Sequence, residues 1–273
     1  MLRMGHRGTT RSAVENTPAA FRKAMDSGAD GVELDIRMTK DGILVVSHDP
    51  KVDHMTNGRG YIRDMNFNEL RRLKIRGSEE CIATSQEAFD AMIEKGMPKA
   101  VQVDLKVSGA GPQLLEQIYS RGMQDIVIIS SFHKSLLREI RELDSGIKTG
   151  LIKILPANGP IEYLAPETDD NSIKRKIAEK AYRAYLYVML IANRITGSAH
   201  SDLISDAKEV NADYAMFYWR AATSRFVKRA HRNDLEVMAG IVNSEKGIRR
   251  LERIGVDAIT TDLSELLRKP QPK

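Results

Sequence analysis

The residues with the means for chemistry fall in two short alternating runs and two histidine-bearing turns. In Gly31-Val32-Glu33-Leu34-Asp35-Ile36-Arg37 apolar and charged residues take turns. Successive side chains of a strand point to opposite faces. Val32, Leu34 and Ile36 therefore share one face, and Glu33, Asp35 and Arg37 the other. If helices pack on the apolar face of a parallel sheet, the carboxylates point inward, where unpaired charge is very costly. Two carboxylates facing the same way then call for a cation between them. The ordinary alternative is a half-exposed edge strand with a solvated charged face. The pattern recurs in Val101-Gln102-Val103-Asp104-Leu105-Lys106, with Gln102, Asp104 and Lys106 on one side. Glu33, Asp35 and Asp104 make a hard-oxygen set suited to one divalent cation, Mg²⁺ or Ca²⁺. Lys106 would neutralise an anion bound at the same rim.

His6 and Arg7 end the first apolar run, and His48 and Asp49 end another. A lone histidine at a strand end is usually structural or solvent-facing. Two of them flanking an acid cluster suit acid–base work at neutral pH, one taking a proton and the other giving one. Arg7 offers a planar fork for phosphate oxygens, or else a partner for a neighbouring carboxylate. His133, His200 and His231 fall in predicted helices or loops, and Ser12 and Cys81 lack a nucleophile's surroundings.

Holding these groups requires a regular scaffold. Strands are predicted at Leu2–Gly5, Gly31–Arg37, Ile43–Ser47, Ala100–Leu105, Ile126–Ser130, Lys148–Ile152, Tyr214–Phe217, Glu236–Val242 and Ala258–Thr261. Helical periodicity separates most of them, and Gly28, Gly96, Gly122 and Gly255 each follow a helical run, where a left-handed terminal residue is favoured. Strand alternating with helix along a whole chain gives a parallel sheet. Roughly eight such units point to a closed (β/α)8 TIM barrel in one domain, residues 1–273, with active residues at the strand C-termini. Two segments exceed a minimal barrel. The stretch from His48 to Ile82 is a short, mostly polar excursion. A longer helical insertion occupies about 155–210. There Lys174, Arg175, Lys176 and Lys180 precede Tyr182, Tyr185, Met189 and Leu190. An ordinary barrel helix, a lid, a homodimer contact or a peripheral lipid contact through 172–195 would each fit.

Several runs together resemble the glycerophosphodiester phosphodiesterase family. They are His6-Arg7-Gly8, Glu15-Asn16-Thr17, the Gly28–Asp35 block, Thr39-Lys40-Asp41-Gly42 and Val45–Asp49. Thr56-Asn57-Gly58, Asp104-Leu105-Lys106, Ser130-Ser131-Phe132 and the Gly255–Asp262 stretch extend the resemblance. It implies a (β/α)8 barrel that hydrolyses glycerophosphodiesters to glycerol 3-phosphate and an alcohol. By that resemblance Glu33, Asp35 and Asp104 hold the divalent cation. His6 and His48 form the acid–base pair, and Arg7 and Lys106 bind the phosphate. The family mechanism uses the glycerol 2-hydroxyl as an internal nucleophile. Three departures stand out. Position 104 is usually Glu in the family. His54-Met55-Thr56 stands where many members carry Arg-Thr. Gly240 stands where members commonly have a tryptophan walling the glycerol pocket. Trp219 is the only tryptophan and is a candidate to fill that gap, or else a packing residue.

Bulk properties bound the alternatives. The chain has 273 residues, 42% hydrophobic, with net charge +5. That suits a substantial core and an anionic small molecule or surface, and it is no nucleic-acid signature. A single cysteine excludes an internal disulfide and fits a reducing compartment. The opening residues leave no room for a signal peptide, so the expected location is cytoplasmic. Two further readings compete: a lysophospholipase D-like enzyme acting on lysolipids, and a non-catalytic barrel that binds phosphate or lipid.

Overall fold

Strand parity decides the architecture. In the computed structural model, which describes residues 1–153 and 198–268, the strands are β1 (Leu2–Gly5), β2 (Gly31–Met38), β3 (Leu44–Val46), β4 (Ala100–Leu105), β5 (Val127–Ser131), β6 (Lys148–Lys153), β7 (Tyr214–Tyr218), β8 (Glu236–Gly240) and β9 (Ala258–Thr261). All but β3 pair in parallel, and β1 hydrogen-bonds both β2 and β9, which closes the sheet into a barrel. The helices are α1 (Pro18–Asp26), α2 (Phe67–Leu70), α3 (Ser85–Ile93), α4 (Gly111–Tyr119), α5 (Lys134–Leu143), α6 (Ser198–Glu209), α7 (Ser224–His231) and α8 (Glu245–Ile254).

The apolar faces of the strands lie outward, under the helices. Val32, Leu34 and Ile36 of β2 pack with Val101 and Val103 of β4 and with Phe21, Phe89 and Leu114 of the surrounding helices. Ala215, Phe217, Val237 and Ile259 do the same across the other half of the barrel. Each fully buried side chain of this size stabilises the fold by roughly 1.5–3 kcal/mol. Inside the barrel a smaller apolar plug of Met4, Ile128, Met216 and Met238 lies beneath the polar mouth. Local signals start and stop the helices where expected. Thr17 caps α1, with Pro18 at its first turn. Thr84 and Glu87 form a reciprocal capping box on α3, which satisfies amides that the helix itself leaves unpaired. Gly28, Gly96, Gly122 and Gly255 all have positive φ, as the sequence predicts.

One strand departs from expectation. The Ile43–Ser47 run reads as a barrel strand, but β3 pairs antiparallel with β2 and stands outside the ring of eight. A five-residue connection, 39–43, in which Thr39 Oγ1 bonds Asp41 and Ile43, reverses the chain. It leaves no room for the crossover a parallel neighbour needs. The excursion that follows has a core of its own, in which Val52, Ile62, Leu70, Ile75 and Ile82 pack against Val45. The predicted Glu236–Val242 strand stops at Gly240. Most of the 155–210 insertion, including its basic and aromatic runs, lies outside the described residues. Among those described, no helix is long and apolar enough to cross a membrane.

Candidate active site

At the C-terminal mouth of the barrel, β2 and β4 lie side by side with Asp35 directly opposite Asp104 and Glu33 opposite Gln102. Glu33 starts one layer deeper, and its extra methylene brings its carboxylate up to the others. Oxygens of Glu33, Asp35 and Asp104 lie within 4.8 Å of one another, and all three residues are buried. Asp104 therefore reaches the cluster despite being shorter than Glu, because its register places it level with Asp35.

Two cations crowd this cluster. Lys106 Nζ lies 2.6 Å from Asp104 Oδ2 and 3.1 Å from Asp35 Oδ1. Arg7 pairs with Glu15 at 2.8 Å and lies 3.3 Å from Asp35. Arg7 has a left-handed backbone, φ 49°, uncommon for a residue with a side chain. That turn aims its amide at Glu33 Oε2, 2.9 Å away, while the guanidinium reaches Asp35. Asn16, fully buried, donates to Asp35 Oδ2 at 2.9 Å. Burial pushes Asp35 up, but Lys106, Arg7, His48 and Asn16 outweigh it and hold the carboxyl well below its usual range. Burial and the neighbouring Asp35 raise Glu33. Asp104 is pushed up to about 7 by burial, against the pull of Lys106. Lys106 itself is raised, the adjacent carboxylates overcoming its desolvation.

The set fits a divalent cation on the chemistry of its donors: three buried carboxylates from two adjacent strands. Asp104 Oδ1 is also buried without a hydrogen-bond partner, an expensive condition that a cation would relieve.

Both histidines face this cluster. His6 follows β1, with Nε2 3.9 Å from Glu33 Oε2 and Nδ1 2.8 Å from Asp262 Oδ1. Burial lowers the imidazole's pKa, but Glu33 and the Asp262 hydrogen bond outweigh it and leave it above the ordinary value. His48 reaches the site by a route the sequence reading misses. It does not end a barrel strand; antiparallel β3 carries it back down toward Asp35, whose carbonyl accepts the Ser47 amide at 3.0 Å. Its Nδ1 lies 2.8 Å from Asp49 Oδ1, a bond that holds the Asp49 carboxyl below its usual range.

The second tier of the site was only partly legible. Asp262 receives Asn243 Nδ2 at 2.6 Å, and Asn243 Oδ1 in turn accepts the Asp262 amide at 2.9 Å. Asp262 directly follows β9, as His6 follows β1, so the strand-end logic that finds His6 applies to it as well. Glu15, Asn16 and Asn243 sit in loops, where no periodicity marks them. Trp219 does not replace a ring at Gly240. It opens a turn after β7 and packs beside Gly247 on the helix side of the barrel. A side chain on Gly240 would overlap Thr260 Oγ1, so Thr260 takes that space. Among the described residues, aromatic rings at the mouth include Phe132, 5.3 Å from Lys106 Nζ, and Tyr218, which pairs in register with Gly240. Both are partly exposed, at 37% and 39%. Among the remaining histidines, His133 precedes α5, His200 lies in α6, and His231 pairs with Asp257 away from the mouth.

The chain matches the Glycerophosphoryl diester phosphodiesterase family over residues 6–266. It is 38% identical over 162 residues to a glycerophosphodiester phosphodiesterase of Caldanaerobacter subterraneus, spanning 55% of this chain and 66% of that protein. It is 28% identical over 270 residues to one of Bacillus altitudinis, spanning 95% and 94% respectively. Its fold is shared with a phosphodiesterase of Oleispira antarctica solved with the product sn-glycerol-3-phosphate, at TM-score 0.73, 20% identity and coverage of 98% and 95%. It is shared too with a glycerophosphodiester phosphodiesterase of Thermotoga maritima, at TM-score 0.68, 24% identity and coverage of 97% and 96%. A match running from His6 past the last barrel strand leaves one conclusion: the chain belongs to the glycerophosphoryl diester phosphodiesterase family of enzymes.

Proposed function

We propose that this chain, as one barrel domain over residues 1–273, hydrolyses small glycerophosphodiesters to sn-glycerol 3-phosphate and an alcohol with the help of one divalent cation, Mg²⁺ or Ca²⁺. The observation that carries this is the buried Glu33–Asp35–Asp104 cluster flanked by His6 and His48. Glu33, Asp35 and Asp104 would hold the cation, which when bound supplies charge stabilisation to the phosphoryl group. Arg7 and Lys106 are the phosphate ligands, both already drawn to the carboxylates by charge. One imidazole takes the proton of the attacking glycerol 2-hydroxyl, and the other gives a proton to the departing alcohol oxygen as its bond to phosphorus breaks; water then opens the resulting cyclic phosphate to glycerol 3-phosphate. Asp262 and Asp49, each bound to an Nδ1, fix which ring nitrogen faces the reaction.

The experiment is turnover of glycerophosphocholine with enzymatic detection of glycerol 3-phosphate, with and without chelator. Activity lost in EDTA and restored by Mg²⁺ or Ca²⁺ supports the reading. Full activity in EDTA refutes the cation, and no glycerol 3-phosphate at all refutes the substrate class. The lysophospholipase D reading draws no support from the described residues, since Thr260 rather than open space lies beside Gly240.

A further inference from the structure

The position of His48 is a problem the barrel itself does not solve. Barrel strands pair with neighbouring strands on both edges, but His48 follows β3, a three-residue strand outside the ring whose outer edge meets only the short Ala83–Thr84 segment. Its ladder gives the Ser47 amide to Asp35 O and then the chain departs. The next restraint on the backbone comes from a side chain. Arg37 Nε and Nη2 both donate to the carbonyl oxygen of His48, at 3.0 and 2.6 Å. Arg37 shares the inward face of β2 with Glu33 and Asp35, one layer nearer the mouth, and is only 9% exposed. Taking a guanidinium so far out of water is costly, and a planar fork on one carbonyl fixes direction as well as distance. We propose that Arg37 is a positioning residue for His48, setting where the imidazole stands relative to the carboxylate cluster. The proposal rests on the acid–base role given to His48 above.

The consequence is kinetic rather than architectural. Loosening the carbonyl lets the imidazole drift from the reacting atoms, and a displacement of about 1 Å can cost on the order of a hundredfold in rate. Substrate binding by Arg7 and Lys106 is untouched. The test compares Arg37→Met, Arg37→Lys and His48→Ala with the wild-type chain on glycerophosphocholine in saturating Mg²⁺, following kcat, KM, the thermal midpoint and Mg²⁺ affinity. We expect Arg37→Met to lower kcat about 10- to 100-fold with KM within about twofold. Arg37→Lys, with one donor in place of the fork, recovers part of that loss. Melting midpoint and Mg²⁺ affinity stay close to wild type. In the His48→Ala background, Arg37→Met should add no further loss, because it acts through a ring no longer there.

An unchanged kcat in both Arg37 variants overturns the proposal. So does a raised KM at unchanged kcat, which would make Arg37 a phosphate ligand. If Arg37→Met does not fold, Arg37→Lys decides alone on the same criteria. Should His48→Ala keep wild-type kcat, the role of His48 falls first. Should His48→Ala be inactive while Arg37→Met is fully active, only the positioning role falls.

Discussion

His6 Nδ1 lies 2.8 Å from Asp262 Oδ1, a hydrogen bond between residues 256 positions apart that is made where β1 and β9 close the barrel. The imidazole proposed for acid–base work and the carboxylate bound to it are thus far apart in sequence and meet only across the closed sheet. Closing the sheet and setting the imidazole are one event.

Asp262→Asn keeps the shape of this contact but not its charge, and it can hold the imidazole in the wrong tautomer. We expect kcat to fall about 10- to 100-fold or more, because an acid–base imidazole depends on its carboxylate partner for tautomer and orientation, with little change in thermal stability. Asn243→Ala should produce a smaller fall, since it acts through Asp262. Steady-state kinetics beside a melting curve decides this, and loss of kcat only in proportion to unfolded protein would rule it out.

If Asp104 holds the proposed cation, binding should depend on pH. Its carboxyl ordinarily titrates near 3.8 and is raised to about 7 in the folded chain without a cation. Its proton must leave before it can serve as a ligand. Affinity for Mg²⁺ should therefore climb about tenfold per pH unit below about 7 and level off above it. The same shift sets the sign of its effect on stability. A carboxyl raised in the folded state favours folding fully below its unfolded value, and that contribution is lost as pH rises through the folded value. The cation-free chain should lose this contribution between about pH 4 and 7, and added Mg²⁺ should restore it. Calorimetric titration at several pH values is the measurement; an affinity independent of pH contradicts it.

Adjacent residues of β2 should separate stability from function. Leu34 is fully buried in the outer core, so Leu34→Ala should cost about 2–5 kcal/mol. Glu33→Gln removes one of three crowded carboxylates and keeps an oxygen to accept the Arg7 amide. It should leave the cation-free fold equally or more stable while abolishing cation-dependent turnover. Denaturant melts of both variants test this; a strongly destabilised Glu33→Gln would count against the crowding argument.

Gly240 is required by its neighbour across the sheet. An added methyl would meet Thr260 Oγ1, so Gly240→Ala should cost about 1–3 kcal/mol. Thr260→Ala removes that oxygen and should make the same change much cheaper. A double-mutant cycle reads the coupling, and additive effects would show that the two sites do not compete for space.

The sequence alone determined what local chemistry determines. Period-two alternation in Gly31–Arg37 and Val101–Lys106 set three acids against an apolar face, because parity is a property of any extended chain. Strand ends marked His6, and glycines and caps marked most helix limits. Tertiary structure decided what depends on which strands become neighbours. Only pairing revealed that β3 runs antiparallel and returns His48 to Asp35, since a run of apolar residues carries no direction. Only closure joined His6 to Asp262 and laid Thr260 beside Gly240. These contacts unite residues distant in sequence, and no short-range pattern records them. Trp219 shows the same limit: a ring at a strand end fits a pocket wall or an outer layer equally well until the packing of Gly247 beside it chooses the latter.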